Sequence, residues 1–135
     1  MPMSPELRAG VGLADTSFFI AREQTRALKG VPPARLAVSV VTTGELRLGV
    51  LAAESGRMRA QRLETLHVAE ALEPLAVTRE VAARWAALRL ALRDAGRRMP
   101  LNASWIAATA LTHKMPVVSQ DDDYDDVPDL AVIKL

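Results

Sequence analysis

Short unbroken apolar runs alternate with segments of helical period along the chain, the pattern of strands joined by crossover helices around a parallel sheet. Val11 to Ala14 reads as a buried strand ending at Asp15, and Thr16-Ser17 opens a helix through Phe18, Phe19 and Ile20 that is expected to stop near Lys29-Gly30. After the Pro32-Pro33 break, the β-branched run Leu36 to Val41 predicts a second strand. Thr42-Thr43-Gly44-Glu45 has the spacing of a capping box, with Leu46, Val50 and Ala53 continuing a helical face. Ser55-Gly56 predicts a hinge to a helix over Arg57 to Ala71, and Leu75 to Val77 a short strand. Thr78 caps the clearest helix, where Val81, Trp85, Leu88 and Leu92 recur at helical intervals before Gly96 ends it. A further helix is expected to be capped by Asn102 and to carry Trp105, Ile106, Ala110 and Leu111 as packing residues. The chain closes with a strand at Pro116 to Ser119, an acidic turn at Gln120 to Asp126 and an edge strand at Leu130 to Ile133.

Composition narrows the class. The chain has 135 residues, 50% of them hydrophobic and 24% charged, which suits one globular domain with residues 1–10 as a flexible N-terminal extension. No internal repeat and no apolar run of about 18 residues, the length of a membrane span, is found. The absence of cysteine removes disulfides and thiolate chemistry and fits the reducing cytoplasm. The net charge of +1 hides an asymmetry: residues 1–115 carry 16 basic and 10 acidic groups, residues 116–135 carry 1 and 6. Fourteen of the 17 basic residues are Arg, six of them between Arg79 and Arg98, which permits a polyanionic partner as readily as a solvated helix face.

The acids carry the chemistry. Ligands of open parallel sheets bind at the carboxyl ends of the strands. Asp15 falls at the end of the first predicted strand, Glu45 just after the second, and Asp121 and Asp123 just after a later one. Taken singly, Asp15 is equally a helix N-cap, Glu45 half of a capping box and Asp121 to Asp126 a solvated loop. Their joint placement favours one site, and clustered like charges call for a cation. With two His and no Cys the ligands are hard oxygens, which selects Mg2+ or Mn2+. His67 and His113 have no ligand partner one turn away and read as structural or surface groups, and Trp85 reads as core. There is no G-x-x-x-x-G-K-[ST] and no G-x-S-x-G, and Gly10-Val11-Gly12 precedes or begins its strand where a dinucleotide fingerprint follows one. A phosphorelay receiver would want its acid pair near the first strand, whereas the acidic run lies near the C-terminus.

Four segments in order, Leu13-Ala14-Asp15-Thr16-Ser17, then Val41 to Gly49 (VTTGELRLG), then Asn102 to Ala110 (NASWIAATA), then Val117 to Tyr124 (VVSQDDDY), resemble the PIN-domain nucleases, and within them the VapC-type toxins of bacterial toxin–antitoxin pairs. The resemblance implies a three-layer α/β/α sandwich with a central, mainly parallel sheet, and Mg2+- or Mn2+-dependent endonucleolytic cleavage of RNA, tRNA or rRNA, leaving a 5′-phosphate and a 3′-hydroxyl. It assigns the metal-binding acids to Asp15, Glu45, Asp121 and Asp123, favouring Asp121 and Asp123 over Asp122, with Thr16, Asn102 and Ser119 in support. It also implies a VapB-type antitoxin, and a homodimer or toxin–antitoxin hetero-oligomer. One position departs: the family's N-D-x-W-I-A-A reads here with Ala103 in place of the Asp, a missing metal-binding carboxylate. The intact surroundings favour a replacement introduced to silence the enzyme, and the chain as written is expected to be impaired. An inactive PIN domain that binds antitoxin or RNA without cutting is the alternative.

Overall fold

The structure is a computed structural model that describes residues 10–135, so the expected N-terminal extension lies almost wholly outside the described residues. Strands β1 (Val11–Ala14), β2 (Arg35–Ala37), β3 (Val117–Ser119) and β4 (Val132–Lys134) form one parallel sheet in the order β2-β1-β3-β4. Among the described residues five helices cover it: α1 (Thr16–Glu23), α2 (Val40–Leu51), α3 (Gly56–Glu70), α4 (Arg79–Asp94) and α5 (Leu101–His113).

Both faces of the sheet are buried, which is why β1, and β3 up to its terminal Ser119, are apolar with no polar alternation. Val11, Leu13 and Val117 pack with Leu88, Leu92, Ile106, Ala107 and Ala110 of α4 and α5. On the opposite face Ala14 and Val118 pack with Phe18, Phe19, Leu46 and Leu66 of α1, α2 and α3. The result is the expected three-layer sandwich. The two glycines of Gly10-Val11-Gly12 have structural causes: Gly10 takes φ +77°, and a Cβ on Gly12 would lie 2.5 Å from Val118 Cγ2. Among the described residues no helix is long and apolar enough to cross a membrane.

Several boundaries differ from the sequence reading. Helix α1 stops at Glu23, seven residues before Gly30, because Thr25 turns left-handed (φ 53°) and the Arg26 and Thr25 N–H groups close back on the Ala21 and Arg22 carbonyls. Strand β2 ends at Ala37. Ser39 caps α2 by accepting the Val41 N–H at 3.0 Å, so Val40 and Val41 are helical and Thr42 to Glu45 lie within the first turns instead of forming a capping box. Leu75 to Val77 is not a strand; Leu75 makes an isolated parallel bridge to Ser39, with N–H···O bonds to and from the Val38 and Val40 backbone. Helix α5 starts directly after Pro100, whose fixed φ leads into the first turn, and Asn102 sits inside the helix with no capping role. Strand β4 is displaced to Val132–Lys134, though it remains the edge. Trp85 is half-buried, stacked on Trp105 at 4.2 Å between ring centres, with its Nε1–H donated to Ser104 Oγ at 3.0 Å. The pair clamps α4 to α5 at the edge of the core. Thr78 and Gly96 hold the places expected of them, as N-cap of α4 and its left-handed C-terminal stop.

Candidate active site

Parallel strands all point the same way, so the residues after their C-terminal ends collect along one edge of the sheet, and here those residues include acids. Asp15 follows β1 directly and is 2% exposed. It is an N-cap and a site residue at once: Oδ1 accepts the Phe18 N–H at 3.1 Å and the Ser17 hydroxyl at 2.7 Å, while Oδ2 accepts the Ser119 hydroxyl at 2.7 Å. Ser119 ends β3, and its Oγ in turn accepts the Asp121 N–H at 2.9 Å. Ser17 Oγ accepts the Gln120 N–H at 3.0 Å. Two hydroxyls thus tie the first strand to the start of the acidic turn across more than 100 residues of sequence.

Glu45 reaches the same place from the second turn of α2, where its Oε1 accepts the Thr16 hydroxyl at 2.7 Å. Asp15, Glu45, Asp121 and Asp123 line one cleft of about 420 Å3, together with Thr16, Ser17, Tyr124 and the first two turns of α5, including Asn102, Ala103 and Ile106. Among the described residues no Lys, Arg or His lines it. His67 is exposed on α3, and His113 lies in the last turn of α5, at the opposite end of that helix from the cleft. Asp122 turns away and pairs with Lys134 at the sheet edge, where Asp125 joins it.

The electrostatics reflect this geometry. Burial raises the Asp15 carboxyl above the ordinary 3.8, against the opposing pull of the Ser119, Ser17 and Phe18 hydrogen bonds and with help from the Asp121 charge. Asp123 is raised as well, by burial and then by Asp121 and Asp122. The Tyr124 phenol, 2% exposed beneath the acids, is pushed well above its usual range by burial and then by the charges of Asp15, Asp123, Glu45 and Asp121. That four carboxylates act on one phenol shows how closely they converge. Asp122, facing Lys134, is instead held below the carboxylate range.

The donor set suits a hard cation in kind: all oxygen, negatively charged and without a basic counter-charge. Among the described residues no three His, Cys, Asp or Glu side chains form a ready group of ligands. Mg2+ does not require one, since it retains several waters and takes one or two carboxylates. At the α5 wall of the cleft, Ala103 presents a methyl group. Thr16 and Ser119 sit where the sequence reading placed them, whereas Ser17 and Tyr124 were missed as parts of the site. The signal for Ser17 was its spacing two residues after Asp15 at a helix start; for Tyr124 it was an aromatic directly after the acid run.

The PIN domain family model matches residues 13–130. The chain belongs to the PIN-domain family. Ribonuclease VapC4 of Mycobacterium tuberculosis is 48% identical over 128 residues, covering 91% of this chain and 95% of that protein. Ribonuclease VapC5 of the same organism is 45% identical over 125 residues, covering 92% and 93%. Among solved structures, VapBC-5 from M. tuberculosis, a member of the VapBC toxin–antitoxin systems, superposes with a TM-score of 0.85 at 42% identity over 93% of this chain and 99% of that one. This PIN domain is therefore of the VapC type, and all four segments that carried the resemblance in sequence lie on or beside the cleft or its supporting strands.

Proposed function

We propose that this PIN domain is an endoribonuclease of VapC type whose cleft holds Mg2+ or Mn2+ and hydrolyses RNA phosphodiester bonds, in tRNA or rRNA, so as to inhibit translation in the cytoplasm. The observation that carries the reading is the cleft itself: four carboxylates from three separate parts of the chain face one space with no cation among the lining side chains. Asp15, Glu45, Asp121 and Asp123 would hold the ion or its waters. When bound, the metal supplies a water of lowered pKa and positive charge against the scissile phosphate.

The remaining work belongs to the chain's own groups. Ser17, Ser119 and the Phe18 N–H fix both oxygens of Asp15, so its orientation is set before anything binds. Thr16 holds Glu45 in the same way. Tyr124 stays protonated under the acids and gives the cleft a rigid floor. Asn102 at the α5 rim offers an amide toward the RNA backbone, and arginines of the chain would bind phosphates with little sequence choice. The products would be a 5′-phosphate and a 3′-hydroxyl. A VapB-type antitoxin covering the cleft would neutralise the activity, within a homodimer or a toxin–antitoxin hetero-oligomer.

Ala103 sets the level of activity. A carboxylate there would extend the acid ring to the α5 wall; its methyl leaves the metal site short of one ligand. The same methyl favours a second reading, a silent PIN domain that binds antitoxin or RNA without cutting. The two are separated by one experiment: Ala103→Asp is expected to gain cleavage of structured RNA that depends on Mg2+ or Mn2+ and is abolished by chelator, while the chain as it stands cleaves little. Equal rates would remove the proposed role of position 103, metal-independent cleavage would overturn the metal's part in the reading, and absent cleavage in the variant would leave the binding module.

A further inference from the structure

Beside the acidic cleft lies a second, more enclosed pocket of about 270 Å3, below the roughly 300–1,000 Å3 typical of drug-sized ligand sites. It shares Thr16 and Glu45 with the cleft, so the two spaces adjoin on either side of that hydrogen-bonded pair. Its apolar surface comes from Ile20 and Leu46, and Gly49 contributes backbone without a side chain. Glu23, Gln24 and Arg62 supply polar edges. These are pre-set: Arg62 donates to the Gly49 carbonyl at 2.7 Å, and Glu23 Oε1 accepts the Thr65 hydroxyl at 2.8 Å. Gln24 adds an amide that both donates and accepts.

We propose that this pocket receives one unstacked nucleobase next to the scissile phosphate and so sets the base preference of the site. The proposal rests on the nuclease reading above. A strand whose phosphate would be held in the cleft through a divalent cation beside Glu45 would bring the adjoining base within reach of the pocket, because the two spaces share that wall. Single-stranded RNA is read in this manner, with a splayed base held on an apolar surface and hydrogen-bonded along its edge. An apolar slot rimmed by an amide, a carboxylate and a guanidinium has both donors and acceptors for such an edge, whereas a lipid or an aliphatic side chain would make no use of their remaining hydrogen-bonding capacity. Gly49 is what keeps the slot open: a Cβ there would meet only Arg62 Cδ, at 3.7 Å, so a larger side chain fits the helix and enters the pocket.

The test measures affinity for short oligoribonucleotides of each single base, in Mg2+, for the chain as it stands and for Gly49→Leu and Gln24→Ala. The chain is expected to separate the best from the worst base by about tenfold, the equivalent of one or two edge hydrogen bonds. Gly49→Leu should reduce that ratio below about threefold without weakening the poorest binder, and Gln24→Ala should change the order of preference. Far-ultraviolet circular dichroism checks that both variants fold; if Gly49→Leu does not, the exposed Gln24→Ala decides alone. Unchanged discrimination in the folded variants overturns the proposal, and loss of binding to a partner protein in its place would assign the pocket to that protein. If Ala103→Asp cleaves RNA while discrimination survives Gly49→Leu, the pocket reading falls alone. If Ala103→Asp never cleaves but discrimination is present and lost on plugging, the nuclease reading falls alone. If no oligoribonucleotide binds, the pocket reading falls, and the nuclease reading falls with it only if Ala103→Asp also fails to cleave.

Discussion

Two groups of acids, one facing the cleft and one facing Lys134 from the acidic turn, are treated in opposite ways. Asp122 and Asp125 meet Lys134, so their charge is neutralised at the surface. Asp15 is held by two hydroxyls and one backbone N–H, and Glu45 by a hydroxyl, none of which carries charge. Neutral donors satisfy the lone pairs and fix the geometry, yet leave the negative charge available to something else. The acids with an ionic partner are structural; those provided only with dipoles are disposed for a cation. Local density of acidic residues does not distinguish the groups, since the sequence Asp121-Asp122-Asp123 contains both kinds.

Breaking the charge without breaking the hydrogen bonds should give the largest effect. In an Ala103→Asp background, Asp15→Asn is expected to lower metal-dependent cleavage by more than the 10- to 100-fold typical of losing a metal ligand's supporting partner. Asn keeps an acceptor for Ser17 and Phe18 and only reverses the bond to Ser119, so urea unfolding should show stability unchanged or increased. Asp122→Asn in the same background should leave the cleavage rate as it was.

Cation binding sharpens the comparison next. If Mg2+ binds the folded cleft, a concentration 100 times its dissociation constant should stabilise the protein by about 2.7 kcal/mol, read as a shift in the urea midpoint, and Asp15→Asn should abolish the gain.

The pH dependence separates the groups by sign. Asp15 and Asp123 have folded pKa values raised above 3.8, so the folded state holds more protons than the unfolded one between that value and the raised ones. Their contribution to stability is fully present below 3.8 and is lost as pH rises through the raised values. Asp122 behaves oppositely: its contribution is present above 3.8 and lost as pH falls through its lowered value. Without divalent metal, acidification from neutral pH towards 4 should therefore raise the unfolding midpoint, and Asp15→Asn should remove much of that rise. A midpoint that falls throughout this range would contradict the assignment.

Smaller effects belong to the tie between strand and turn. Ser119→Ala removes one bond to Asp15 and one from the Asp121 N–H, and should cost about 1–3 kcal/mol in urea unfolding. Lys134→Met disturbs only exposed ion pairs and should leave stability and cleavage within error.

Legibility varied with the range of the forces involved. The capped ends of α4 could be read at Thr78 and Gly96 because one side chain's hydrogen bond and one residue's φ decide them locally. The start of α2 could not. Leu36 to Val41 has the composition of a strand, but Val38 is engaged by Leu75, a residue 37 positions away, and Ser39 then begins the helix. The left-handed Thr25 that stops α1 is unfavourable for a β-branched residue, so no propensity would place it. Trp85 follows the helical period of the buried face, yet stacking on Trp105 draws it to the boundary of the core.

From its order of residues alone, the chain determined an alternating α/β plan, a sheet buried on both faces and acids at the ends of strands, because hydrophobic period and strand direction are properties of short segments. Only the folded arrangement decided which acids share a space and which are answered by a lysine. Asp122 and Asp123 differ by one position and have the same chemistry; what separates them is the direction each takes from the turn, set by β4 bringing Lys134 to one side and by Tyr124 burying itself on the other. Charge acts through space over a few ångströms, and proximity of that kind is written across the whole tertiary fold.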